Sequence, residues 1–146
     1  MHVVVLVVLS ACAYEVPGEA PLTEMYPAEI EAALEEFSRD HDVSRCDPSK
    51  LRVVIADESV LKDLCGDSSS ETTGCNSTVP RPERRVIVVD AADMAEERNI
   101  VTHELMHWLE ECSSGDQDFD HADESVWGEG GVLERANEEL GLPGRW

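Results

Sequence analysis

The chain has 146 residues, which suits one domain around a single modest core. Its 32 acidic and 11 basic side chains give a formal net charge of -21. A surface so charged repels phosphate and anionic headgroups, so non-specific nucleic-acid binding and electrostatic attachment to a membrane surface are both excluded.

The N-terminal stretch MHVVVLVVLSAC holds an apolar run from Val3 to Leu9, closed by small residues and Cys12. That run is too short to span a bilayer, and long enough for the apolar region of a signal peptide. Leu9-Ser10-Ala11-Cys12 resembles the lipobox of bacterial lipoproteins. The resemblance implies that residues 1–11 are a signal peptide and that Cys12 carries the lipid. It also implies an exported protein held at the outer membrane or cell surface, since Ala13 rather than Asp follows the cysteine, with the periplasm as the alternative. Residues 12–26 contain Pro17, Gly18 and Pro21 without an apolar period, and are expected to be a tether.

The domain is expected to fill residues 27–146. Pro27 opens a helix in which Ile30, Leu34 and Phe37 recur at helical spacing. Leu51 to Asp57 is short and β-branched, hence a strand, and Arg85 to Asp90 is a second. Ser59 to Leu64 is expected to form a brief helix. Asp93-Met94-Ala95-Glu96 fits a capping box, from which a helix should run to about Cys112 and stop at Ser113-Ser114-Gly115. A long acidic loop follows. A last helix is expected from Val132 to Leu140, with Gly141 as its C-terminal stop. This order predicts an α+β domain, a small mixed sheet packed on the central helix.

Apart from Cys12 there are four cysteines, Cys46, Cys65, Cys75 and Cys112, with no C-x-x-C pair. An even number in an exported chain reads as two disulfides. Three pairings are open. Cys65–Cys75 closing a polar loop, with Cys46–Cys112 tying two helix ends, is the preferred one.

The central helix contains His103-Glu104-Leu105-Met106-His107. Histidines four apart stand on one helical face, and two imidazoles so placed can bind one metal ion. Glu104 projects beside that ion and can take a proton from water bound to it. Val101, Leu105, Trp108 and Leu109 make the rest of the helix apolar, as a buried site requires. The segment resembles the zincin zinc metallopeptidases, whose motif places ligand, base and ligand at positions matching His103, Glu104 and His107. Zinc needs a third protein ligand. His121 is the preferred candidate, with Glu124, Glu129 and Glu134 as carboxylate alternatives and Asp116, Asp118 and Asp120 in the loop. His121-Ala122-Asp123-Glu124-Ser125-Val126-Trp127 is similar to the segment that follows the third histidine in the metzincin and matrixin branch, Trp127 standing where a methionine is usual.

That branch has a glycine where Glu110 stands here, and a shorter gap to its third histidine. A helix without that glycine is expected to run on until Gly115. Asp118 or Asp120 is expected to orient a ligand imidazole, Trp127 to pack beneath the site, and His41 to serve only a helix end. Asp116, Asp118 and Asp120 alternate like the start of a calcium loop, but the later positions do not fit one.

The resemblance implies a lipid-anchored zinc metalloendopeptidase that holds an extended peptide or protein substrate on a sheet edge; a monomer is expected, with the oligomeric state left open. No oxyanion stabiliser is evident, because the only tyrosines, Tyr14 and Tyr26, lie in the tether region. The alternative is a non-catalytic surface lipoprotein, a binding or structural module with structural metal or none.

Overall fold

The computed structural model describes residues 16–66, 74–77 and 85–144. The expected signal peptide, residues 1–11, lies outside the described residues, as do Cys12 and Tyr14. In chain order the elements are β1 (Ala20–Pro21), α1 (Leu22–Met25), α2 (Pro27–Ser38), β2 (Leu51–Ala56), α3 (Glu58–Cys65), β3 (Gly74–Ser77), β4 (Arg85–Asp90), α4 (Glu97–Ser114), α5 (Glu124–Trp127) and α6 (Val132–Glu139). Short 3₁₀ turns precede β2 and α4. The fold is α+β, with one four-stranded mixed sheet in the order β1-β2-β4-β3. The central pair β2 and β4 is parallel; β1 and β3 are antiparallel to their neighbours.

The β-branched runs become the central strands because both of their faces are covered. Leu51, Val53, Ile87 and Val89 point toward α2, α4 and α6 and join the main core with Phe37, Ile100, Leu105 and Leu109. The alternate residues Val54, Ala56, Val86 and Val88 face a smaller cluster with Leu61 of α3 and Val16. Helix α4 lies within the main core, and Asn99 to Glu110 are buried except for His103.

Several local expectations change. The segment read as a tether is folded from Val16 onward: β1 pairs with β2, and Val16, Leu22 and Tyr26 are buried. Burying each such side chain stabilises by about 1.5–3 kcal/mol, enough to hold a segment whose proline and glycine content suggested freedom. The capping box at Asp93 does not form. Asp93 sits at a kink with φ -107° and ψ 27°, and the Asp90 carboxylate accepts from Ala92 N at 2.9 Å instead. Helix α4 therefore starts later than expected. It ends where expected, at Gly115, whose φ of 91° is left-handed and costs glycine little.

Gly74 of β3 lets α4 approach the sheet edge. A Cβ there would stand 2.4 Å from Ile100 Cγ2 and 2.7 Å from the Val88 carbonyl oxygen.

Both preferred disulfides are present, Cys46–Cys112 and Cys65–Cys75. The first pins the C-terminal turn of α4 to the loop after α2; the second pins α3 to β3. Such bonds persist in oxidising compartments. No helix among the described residues is long and apolar enough to cross a membrane. In the chain-entropy picture a crosslink spanning 66 residues restricts the unfolded chain more than one spanning 10. Replacing both Cys46 and Cys112 by alanine is expected to lower unfolding free energy by about 4 kcal/mol, against about 3 kcal/mol for the Cys65–Cys75 pair. Urea denaturation of the two double variants checks the order.

Candidate metal centre

Helix α4 presents His103 and His107 one turn apart, and the loop after it delivers His121 to the same point. The three ring centroids are 5.0–5.1 Å apart. Their donor nitrogens all lie within 4.8 Å of one another, the only such group of ligand-type side chains among the described residues. His107 Nε2 and His121 Nε2 are 3.2 Å apart. Two nitrogens bound to one tetrahedral zinc at about 2.0–2.1 Å stand roughly 3.3 Å apart, so this edge already has the required length. The cluster fits a metal ion.

The loop makes its turn through two non-glycine residues with positive φ, Asp118 at 38° and His121 at 53°. Asp tolerates this region, and its carboxylate repays the strain by hydrogen bonding nearby backbone. Asp118 accepts from Ala122 N at 3.0 Å and Asp123 N at 2.7 Å, while His121 N donates to the Asp118 carbonyl at 3.0 Å. Asp118 therefore shapes the loop that carries His121 and does not act as an acceptor for a ligand imidazole. Those backbone bonds hold its carboxyl below the usual range.

The acceptor for His107 is a backbone carbonyl. His107 Nδ1 lies 2.8 Å from Gln117 O. A carbonyl only accepts, so Nδ1 carries the proton and Nε2 presents its lone pair to the cluster. The Gln117 side chain is anchored by a hydrogen bond to Glu111, and Glu111 pairs with Arg85 of β4. The sheet thus holds the loop carbonyl that fixes the ligand tautomer. Gln117 carries no sequence signal for this role, because every residue type offers the same carbonyl.

Burial pushes His103 down to about 3, and the neighbouring charges of His107 and His121 add to the effect. Its lone pair is free for a metal throughout the neutral range. His121 is lowered by burial and by His107, against the pull of Asp118 and Asp120. Burial also draws His107 downward, but its contact with Glu110, the Glu104 charge and the Gln117 carbonyl outweigh that and leave it raised. Glu104 is buried, and burial lifts its carboxyl to about 7, with His107 opposing. A carboxyl in that range suits proton exchange near neutrality.

Glu104 faces β3. Its Oε1 would lie 3.8 Å from a Cβ on Gly74, and its backbone oxygen accepts from Asn76 Nδ2 at 3.3 Å. A cleft of about 470 Å³ opens here, lined by His103, Glu104, His107 and His121 with Leu64, the Cys65–Cys75 bridge, β3 and Phe119. Phe119, at 72% exposure, stands at its rim.

The carboxylate alternatives lie elsewhere. Glu134 accepts from Gly130 N at 2.6 Å, and exposed Glu124 opens α5. Neither joins the histidine cluster, nor does exposed Glu129. His41 stacks on Phe37 with centroids 4.3 Å apart, beside the end of α2 as expected. Tyr26 is not free to serve the site, since its hydroxyl donates to Glu97 Oε2 at 3.2 Å at the start of α4.

If the three histidines hold the ion, zinc at a thousandfold excess over its Kd stabilises the fold by about 4 kcal/mol. A rise in Tm on the order of 10 °C over chelator-treated protein is expected. His121→Ala should abolish the rise, whereas Glu124→Gln and Glu134→Gln should keep it; differential scanning calorimetry reads all three.

No protein-family model matches the chain, and comparison with curated proteins and with solved structures likewise gives no match, so the metal centre stands on its own geometry.

Proposed function

We propose that this protein is an exported zinc metallopeptidase of zincin type, anchored through Cys12, and that it cleaves peptide bonds in the cleft between α4 and β3. The observation that carries this reading is buried Glu104 beside a three-histidine cluster on an open cleft. Three imidazoles suit zinc, and three protein ligands leave a position for a reactant, whereas structural zinc is closed by four. That difference favours an enzyme over a structural zinc module.

When bound, the ion supplies Lewis acidity and draws the pKa of water toward neutrality. His103, His107 and His121 would hold it. Glu104 accepts a proton from the attacking water and hands it to the leaving amine nitrogen, so the peptide C–N bond breaks without releasing an unprotonated amide anion. The strand β3 borders the cleft and pairs on one side with β4. Among the described residues no further strand lies beyond β3, and an extended peptide would add to the sheet there. The apolar packing around α4 holds the helix that carries Glu104 in place beside the cleft.

Glu104→Gln preserves shape and removes the base. It is expected to keep stoichiometric zinc while lowering kcat on an unstructured protein such as casein by about 10²–10⁴-fold. Zinc content and hydrolysis are measured on the same preparation. Unchanged hydrolysis in the zinc-replete variant would show that the peptidase reading is wrong.

A further inference from the structure

At the position where the related pattern has a glycine, this chain has Glu110, one turn beyond His107. Glu110 is buried, with 6% of its surface exposed. A buried carboxylate is costly unless it is bonded to something that matters to the fold or the site. Its partner is Trp127: the indole Nε1–H donates to Glu110 Oε1 at 2.9 Å.

Trp127 in turn touches every histidine of the cluster. Its ring lies 5.0 Å from His103, 4.6 Å from His107 and 4.2 Å from His121, centroid to centroid. His103 and His107 come from α4, His121 from the loop, and Trp127 from α5. The indole is thus the surface against which rings from two separate elements are set. Its rotation about its own bonds is fixed by the hydrogen bond to α4. The second carboxylate oxygen, Glu110 Oε2, lies 3.8 Å from His107 Nδ1, whose N–H donates to the Gln117 carbonyl.

Trp127 packs beneath the ligand rings as expected, and we propose that Glu110, through its hydrogen bond to the indole N–H, sets the spacing of those three rings. Both are positioning residues. This rests on the metal-centre reading above and goes beyond it, because it assigns the tightness of binding to two residues that touch no metal. It also gives Glu110 a use at the position where the resembling pattern has glycine. A helix that runs on past His107 can carry a side chain in place of the turn, and that side chain locks the floor.

The test is zinc affinity by competition with a chromophoric chelator, together with the visible spectrum of the cobalt(II)-substituted protein, whose intensity reports ligand geometry. Outer-layer partners of metal ligands are typically worth 10–100-fold in affinity. Glu110→Ala is expected to weaken zinc binding by about that factor and to alter the cobalt bands. Glu110→Gln keeps an acceptor oxygen for the indole and should stay within about threefold of wild type.

Trp127→Phe keeps a ring but removes the N–H, and should weaken zinc as Glu110→Ala does. In the double variant Glu110→Ala/Trp127→Phe the losses should not add, as for residues acting through one bond. Should Glu110→Ala fail to fold, the Gln and Phe variants carry the comparison, with the metal-free Tm of each as the control for structure. Wild-type affinity and cobalt spectrum in Trp127→Phe would overturn the proposal, and so would fully additive losses. A wild-type protein that binds no zinc would overturn the metal centre itself and this assignment with it; zinc held equally by wild type and variants would overturn this assignment alone.

Discussion

Helix α4 is covered along most of its length, yet it carries Glu104, His107 and Glu110 into that covered environment. A polar group taken from water without a partner costs on the order of 1–3 kcal/mol by mutational measure, and more if charged. The surroundings answer that constraint for His107 and for one oxygen of Glu110, and make room for Glu104. Gln117 accepts from His107, Trp127 donates to Glu110, and Gly74 removes its own side chain so that Glu104 can lie against β3. The histidine nitrogens turned toward the cluster are left to a metal ion. Loop, sheet edge and last helices can be understood as the partners that make this one helix tolerable in the interior.

Much of this was legible in the sequence, for identifiable reasons. The strands at Leu51 and Arg85 announce themselves because β-branched runs flanked by polar residues have few other uses. Histidines four apart fix one helical face whatever surrounds them. Gly115 marked the helix end because left-handed backbone is what glycine does cheaply. The failures share a cause too. The segment from Val16 to Tyr26 looks loose locally and is ordered only by long-range burial, and a pattern of composition cannot see its neighbours across the sheet. Asp93 offers good capping chemistry, but Asp90 does the capping at the turn that leads out of β4. At the site, the sequence pointed to His121 but misassigned the groups that orient the ligands. It favoured carboxylates, while the chain uses a backbone carbonyl at Gln117 and applies the Asp118 carboxylate to its own loop.

The two disulfides stand on either side of the centre. Cys112 lies on α4 beyond His107, and Cys75 lies on β3 facing Glu104's side of the cleft. The first ties the end of the ligand-bearing helix to the loop after α2, and the second ties the β3 wall of the cleft to α3, so each braces one element beside the centre. For an acidic domain of this size that help is substantial, since a core of modest area leaves little margin.

Thirteen residues separate His107 from His121, and Asp118 folds that span into a compact turn. The entropy of closing a loop grows only with the logarithm of its length, so doubling a gap costs about 0.6 kcal/mol. Ligand spacing is therefore one of the cheapest features for a metal site to alter, provided that some residue in the added length rebuilds the turn. Divergence is expected to erase the gap long before it erases the convergence of the rings. Kinship among such sites is then better measured by which atoms meet than by how many residues lie between them.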